Sequence, residues 1–183
     1  MEKRILNYFG YGTNRDLEMM AAMIGRRDIE GKKGRLLGFE LCIQKANDIA
    51  DKILGTAPAQ TSPREIVTSA FDENFELYII RPKENAITYG TIWKLTEEEY
   101  GLVRDWELLD FGMQEDIKAV AMDEDGKVIN VITHGSMSPD MPASRVIEGP
   151  DYEDYIVPKE AILKIAADDY AKHIKDIEQE KNN

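Results

Sequence analysis

The apolar and polar positions divide the chain into a short series of elements. Arg4-Ile5-Leu6-Asn7-Tyr8-Phe9 is a β-rich run stopped by Gly10 and Gly12, and it reads as a strand. Leu17, Met20, Met23 and Ile24 then recur at spacings of three and four, which predicts a helix capped by Asn14 or Asp16. Arg26, Arg27, Lys32, Lys33 and Arg35, punctuated by Gly25, Gly31 and Gly34, read as a basic turn. Leu36 to Gln44 is strand-like, with Gly38 as a bulge or point of close approach. The segment from Ala46 to Pro63 has weak periodicity. Its Gly55, Pro58, Thr61, Ser62 and Pro63 make it a long loop. Strands are expected at 66–71, 75–80 and 86–95. Thr96 with Glu99 forms a capping box for a helix whose apolar side holds Tyr100, Val103 and Trp106, ending between Glu107 and Leu109. Runs 117–122 and 127–133 flank Asp123-Glu124-Asp125-Gly126, a hairpin signal. Residues 135–150 read as loop. A last helix starts near Pro158, with Ile162, Ile165, Ala166, Tyr170, Ile174 and Ile177 at helical spacing, and a polar tail, 178–183, is expected to fray.

This order of elements implies an α+β fold with a mainly antiparallel sheet able to curl into a barrel. The 183 residues fit one domain, taken as 1–177, with no internal repeat. Charge narrows the partners. The 23 Lys and Arg against 35 Asp and Glu leave −12, which argues against nucleic acid or an anionic membrane surface, since both need a basic face. Cys42 is the one cysteine and sits in an apolar strand, so it reads as a core residue. No Cys/His cluster has zinc spacing, so neither metal nor disulfide is expected. The first residues lack a signal-peptide apolar run and no stretch has membrane-spanning length, so the expectation is a cytoplasmic protein, monomeric or homodimeric.

Two features can carry chemistry. In Tyr8-Phe9-Gly10-Tyr11-Gly12-Thr13-Asn14, two glycines one residue apart let backbone approach a ligand, and N–H groups at a strand-to-helix junction can bind an anion. The third glycine of a dinucleotide fingerprint and the Gly-Lys-Ser/Thr of a phosphate loop are both lacking, and the same residues also suit an ordinary turn. Glu107 stands beside Trp106 at a predicted helix end. The negative end of the helix dipole, together with burial, raises a carboxyl pKa toward the range of a general acid/base, whereas full solvation leaves it an ordinary surface glutamate. His134 follows a predicted strand and is a catalytic candidate, but it and His173 read rather as surface histidines.

Taken together, three segments resemble the gamma-glutamylcyclotransferase-like family. Tyr8 to Asn14 is similar to its Tyr-Phe-Ala-Tyr-Gly-Ser-Asn signature, Gly34-Arg35-Leu36-Leu37-Gly38-Phe39 to its Gly-x-Leu-x-Gly-Tyr/Phe segment, and Tyr89 to Thr96 to the strand-to-helix stretch that precedes the family's catalytic glutamate. The resemblance implies a small β-barrel with packed helices and a cofactor-independent reaction on a small-molecule γ-glutamyl substrate. In that reaction the substrate's free α-amine attacks its own γ-carbonyl, giving 5-oxoproline and a released amine or amino acid. It makes Glu107 the general acid/base and Tyr11, Gly12, Thr13 and Asn14 the substrate loop. A late family tyrosine falls on Tyr155 or Tyr152, and Tyr155 is assigned. Gly10 stands for the usual alanine, Thr13 for serine, Arg15 for leucine, and Arg104 for an aspartate three residues before the glutamate.

Overall fold

The computed structural model describes residues 4–56 and 60–181. Six strands, β1 (Ile5–Gly10), β2 (Gly31–Lys45), β3 (Glu76–Thr96), β4 (Glu115–Asp123), β5 (Val128–Gly135) and β6 (Arg145–Ile147), form one sheet. Four helices accompany them: α1 (Leu17–Ile24), α2 (Pro63–Phe71), α3 (Glu97–Trp106) and α4 (Lys159–Lys181). The fold is α+β and mainly antiparallel. β3 pairs with both β1 and β2, β2 with β4, β4 with β5, and β5 touches β1 in parallel at Tyr8–Ile132, so pairing runs round a ring from which β6 extends. The narrow β1–β5 seam is tied by Thr133 Oγ1 donating to the Phe9 carbonyl at 2.8 Å.

Strand alternation explains the core. Tyr8 and Phe9 are neighbours in β1 and point to opposite faces. Phe9 packs with Leu36, Ile80, Ile117 and Val131 inside the ring, while Tyr8 packs outward with Met19, Met20 and Met23 of α1, Val103 of α3 and Ile162 of α4. A third cluster gathers Val67 of α2 with Cys42, Phe75, Leu77 and Ile79. Each such side chain contributes about 1.5–3 kcal/mol when fully buried.

Several elements differ from the sequence expectation. Residues 66–71 are helix, not strand. Ser62 caps it by accepting the Glu65 N–H, Pro63 occupies the first turn, and Ile66, Val67, Ala70 and Phe71 share a helical face. The β-branched pair Ile66-Val67 masks that start signal. The expected strands 75–80 and 86–95 are one strand, β3, because β2 pairs with both halves; the register slips between Leu37↔Ile87 and Phe39↔Pro82, and the extra β3 residues form a bulge. The basic stretch is β2 from Gly31 onward, where Lys32 reaches Asp125 at 3.0 Å across the hairpin end. Loop 135–150 contains β6, paired to Cys42 by Val146. Within the long loop, Ala46–Asp48 forms a 3-10 turn, and Pro58 lies outside the described residues. α4 continues to Lys181, and Asn182 and Asn183 also lie outside the described residues. Asp16, rather than Asn14, caps α1 by accepting the Glu18 N–H at 3.2 Å. Among the described residues, no helix is long and apolar enough to cross a membrane.

Candidate active site

Two chain reversals bring the site together. After β1, Gly12 adopts φ +57° and opens a 3-10 turn, Gly12–Arg15; a Cβ there would lie 2.6 Å from the Tyr78 ring, so glycine is required both by conformation and by space. The turn buries Asn14 and fixes it by its backbone: Trp93 Nε1 donates to the Asn14 carbonyl at 2.8 Å and the Asn14 N–H donates to Tyr11 at 3.1 Å. The second reversal ends α3. Glu107 is its C-cap, its N–H donating to Val103, and Leu108 follows in the left-handed region at φ +54°. For a leucine that conformation is costly, about 1–3 kcal/mol, and it turns the chain sharply directly after the carboxylate.

The Asn14 amide Nδ2 donates to Glu107 Oε1 at 2.5 Å and lies 3.0 Å from the Tyr8 hydroxyl. The Gln114 amide Nε2 donates to the other oxygen, Oε2. Gln114 is itself oriented by Tyr11, whose hydroxyl lies 3.2 Å from Gln114 Oε1 and 2.8 Å from the His134 carbonyl. Glu107 therefore sits below the surface with both oxygens fixed, yet partly open to a cavity of about 260 Å³ that Tyr8, Tyr11, Thr13, Asn14, Gln114 and His134 also line. Burial pushes the Glu107 carboxyl above the usual carboxylate range, against the opposing pull of His134 and of the two amides. Burial, reinforced by the Glu107 charge, pushes the Tyr8 and Tyr11 hydroxyls well above the usual phenol range, so both stay protonated.

His134 is not on the surface as expected from its place at a strand end. It is 1% exposed, because its ring packs against Tyr8 and Tyr100 on the helix-covered face of the sheet. Burial lowers its pKa to about 4, so the ring is neutral at pH 7. Its Nε2 lies 2.9 Å from the Tyr100 hydroxyl, whose proton goes to Asp116. Nε2 is thus the N–H donor, and Nδ1 carries a lone pair that meets no hydrogen-bond partner among the described residues. Arg104, standing where the family has an aspartate, pairs with Asp116 of β4.

The late segment supplies both tyrosines in different roles. The Tyr152 hydroxyl accepts the Gly12 N–H at 3.2 Å and donates to the Tyr89 carbonyl at 2.5 Å, so it props the glycine turn from behind. The Tyr155 hydroxyl donates to Asp16 Oδ2 at 2.7 Å, at the cap of α1, and neither tyrosine is among the residues lining the cavity. Arg15 is spent on the same segment: it pairs with Asp154, donates to the Pro150 and Tyr152 carbonyls, and stacks 3.8 Å over the Tyr152 ring. Of the loop amides, those of Gly12 and Asn14 are committed to Tyr152 and Tyr11. Sequence reasoning did not find Gln114 or the supporting role of Tyr152, and it set His134 aside as a surface residue. Gln114 lies in a turn without pattern, and His134 is legible only once β5 is seen to close the ring.

Solved structures of low sequence identity share this architecture. A gamma-glutamyl cyclotransferase structure matches 97% of this chain and 87% of its own, at a TM-score of 0.54 and 17% identity. The uncharacterized protein loc79017 from Homo sapiens matches 88% of this chain and 98% of its own, at 0.56 and 17%. At5g39720.1 from Arabidopsis thaliana matches 100% and 97%, at 0.51 and 15%. No protein-family model and no curated protein matches the sequence. The chain has a gamma-glutamyl cyclotransferase-like fold.

Proposed function

We propose that the protein is a cofactor-independent γ-glutamyl cyclotransferase. The observation that carries this reading is the pairing of the half-buried Glu107 carboxylate with the glycine turn through the Asn14 amide. The fold supports it, as does the name of one structural neighbour, gamma-glutamyl cyclotransferase. In the reaction, Glu107 takes a proton from the substrate's α-ammonium. The freed amine attacks the γ-carbonyl carbon, forming the ring C–N bond. The tetrahedral intermediate collapses with cleavage of the γ-amide C–N bond, the leaving nitrogen receives the proton that Glu107 holds, and the second proton of the ring nitrogen passes through Glu107 to the departing amine, which leaves as an ammonium. A carboxyl whose pKa lies closer to neutrality serves both transfers. The Glu107 carboxylate, partly open to the cavity, suits an ammonium donor. The turn Tyr11, Gly12, Thr13 and Asn14 holds the glutamyl head folded for ring closure, a positioning effect worth several kcal/mol. Tyr155 enters this proposal as a support of the turn through Asp16 and Tyr152 as a support through Gly12. The reading places the reaction in the cytoplasm.

The test is 5-oxoproline release from a panel of γ-glutamyl amino acids and γ-glutamyl amines. Glu107→Gln is expected to lower kcat/KM by about 10² to 10⁴ with the thermal midpoint little changed. Undiminished product from Glu107→Gln refutes its role. No product from any substrate with the wild-type protein favours a binding or regulatory domain on this fold.

A further inference from the structure

Outside the polar cluster around Glu107, the cavity lining is mostly apolar. Ile66, Val67 and Phe71 of α2, Phe75 at the entry to β3, and Ile162 and Ile165 of α4 contribute to it. The charged residues lining the cavity are Glu76, Asp105, Glu107 and Asp169, all acidic, and no Lys or Arg lines it among the described residues. Lys45 and Arg145 pair with Glu76 at 3.9 and 3.8 Å, so both are engaged by a carboxylate and neither lines the cavity. Other arginines of the neighbouring elements are held elsewhere. Arg15 is engaged by Asp154 and two carbonyls, Arg104 by Asp116 and Asp110, and Arg64 of α2 by the Asn47 and Ile49 carbonyls and Asp51. His134 is neutral.

A γ-glutamyl amino acid carries a carboxylate on its leaving group, two bonds from the scissile nitrogen. With the glutamyl head on the turn Tyr11 to Asn14, that carboxylate enters an apolar wall edged by acidic side chains. It leaves water without gaining a cation, which disfavours binding and the transition state alike. A leaving group of the same shape without the carboxylate exchanges water for aliphatic and aromatic contact.

We infer that the substrate's leaving group is an apolar amine, alkyl or arylalkyl, that bears no carboxylate. This rests on the γ-glutamyl cyclotransferase reading and narrows its substrate class.

The decisive comparison uses two compounds that differ by the carboxylate alone, γ-glutamyl-2-phenylethylamide and γ-glutamyl-L-phenylalanine, with γ-glutamylputrescine as a third. The expected result is a kcat/KM for the phenylethylamide at least about tenfold above that for the phenylalanine compound. Ile66→Arg, which places a cation at the half-buried edge of the wall, narrows that ratio. Equal or better turnover of the phenylalanine compound overturns the inference. Preference for the putrescine compound also overturns it, and assigns the acidic edge to a distal ammonium. The subsite is tested separately from the chemistry by calorimetric titration of the wild-type protein with isosteres in which CH₂ replaces the amide nitrogen. Tighter binding of the phenylethyl isostere, without 5-oxoproline from any amide, upholds the apolar subsite and rejects the reaction. Indifference between the isosteres rejects the subsite whatever the turnover.

Discussion

Replacing Gly10 by alanine sets the sequence motif against the tertiary structure. Alanine is the usual residue at this place in the resembling signature, so by motif alone Gly10→Ala restores a consensus. In this fold the added Cβ meets the Asn14 carbonyl oxygen at 2.2 Å and Trp93 Nε1 at 3.1 Å. The first contact is about 1 Å inside normal packing distance, and its partner is backbone, which cannot rotate away. The turn must therefore move, and the Asn14 carbonyl is the acceptor for the buried Trp93 indole N–H at 2.8 Å. Overpacking of this kind costs about 1–3 kcal/mol, and stranding the indole N–H costs a similar amount. For a domain of this size each kcal/mol lowers the thermal midpoint by about 2–4 °C, so a fall of at least about 5 °C is expected. The same movement displaces the Asn14 amide from Glu107, and a shift of about 1 Å in a catalytic partner costs about a hundredfold in turnover. The assays are a calorimetric melt and kcat/KM by 5-oxoproline release on the best amide. A Gly10→Ala protein that melts within about 2 °C of wild type and retains its kcat/KM refutes the reasoning.

Three further outcomes follow from the same geometry. Tyr152→Phe strands the Gly12 N–H behind the turn and is expected to lower both stability, by about 1–3 kcal/mol in urea unfolding, and kcat/KM, whereas Tyr155→Phe, which touches only the α1 cap, lowers stability with a smaller effect on kcat/KM. His134 has a folded pKa of about 4 against about 6.5 unfolded, so its contribution is complete above pH 6.5 and is lost as pH falls toward 4. The wild-type protein should lose about 3 kcal/mol relative to His134→Phe over that window, and parallel pH profiles of the two refute it. Because burial raises the Glu107 pKa, the acid limb of kcat/KM against pH is expected above the ordinary glutamate value of 4.5, and a limb at or below that value excludes Glu107 as the base.

Two solved structures share this fold at 17% identity, a level at which most side chains have been exchanged. The ring needs a tight turn after β1 and a helix ending against it, and both are written in a few residues: Gly12, the Thr96–Glu99 capping box, and the leucine held left-handed at 108. Gln114 and His134 come from the approach to β4 and from β5, where no local pattern marks them.

Elements whose signal is local were legible in the sequence. β1, α1, α3, the Asp125-Gly126 hairpin and α4 each carry a periodic face and a cap or turn residue, and each formed where that chemistry pointed. The place of Glu107 at the end of a capped helix beside a tryptophan was legible in the same way, whereas its choice as the candidate acid/base came from the family resemblance. The misread segments depend on partners far along the chain. Ile66-Val67 has strand-like residues, but Ser62 and Pro63 start a helix there, and the helix buries Val67 against Phe75 and Ile79. Pro82 looks like a break in β3, yet β2 pairs on both sides of it and absorbs the misfit as a bulge. His134 has the sequence surroundings of a surface residue and the tertiary surroundings of a core. The sequence by itself determined where turns and helices start, because caps and glycines act within a few residues. The tertiary structure alone decided which side chains share the cavity and which charges are neutralised before a ligand arrives, because burial and pairing join Tyr11, Glu107, Gln114 and His134 across more than 120 residues.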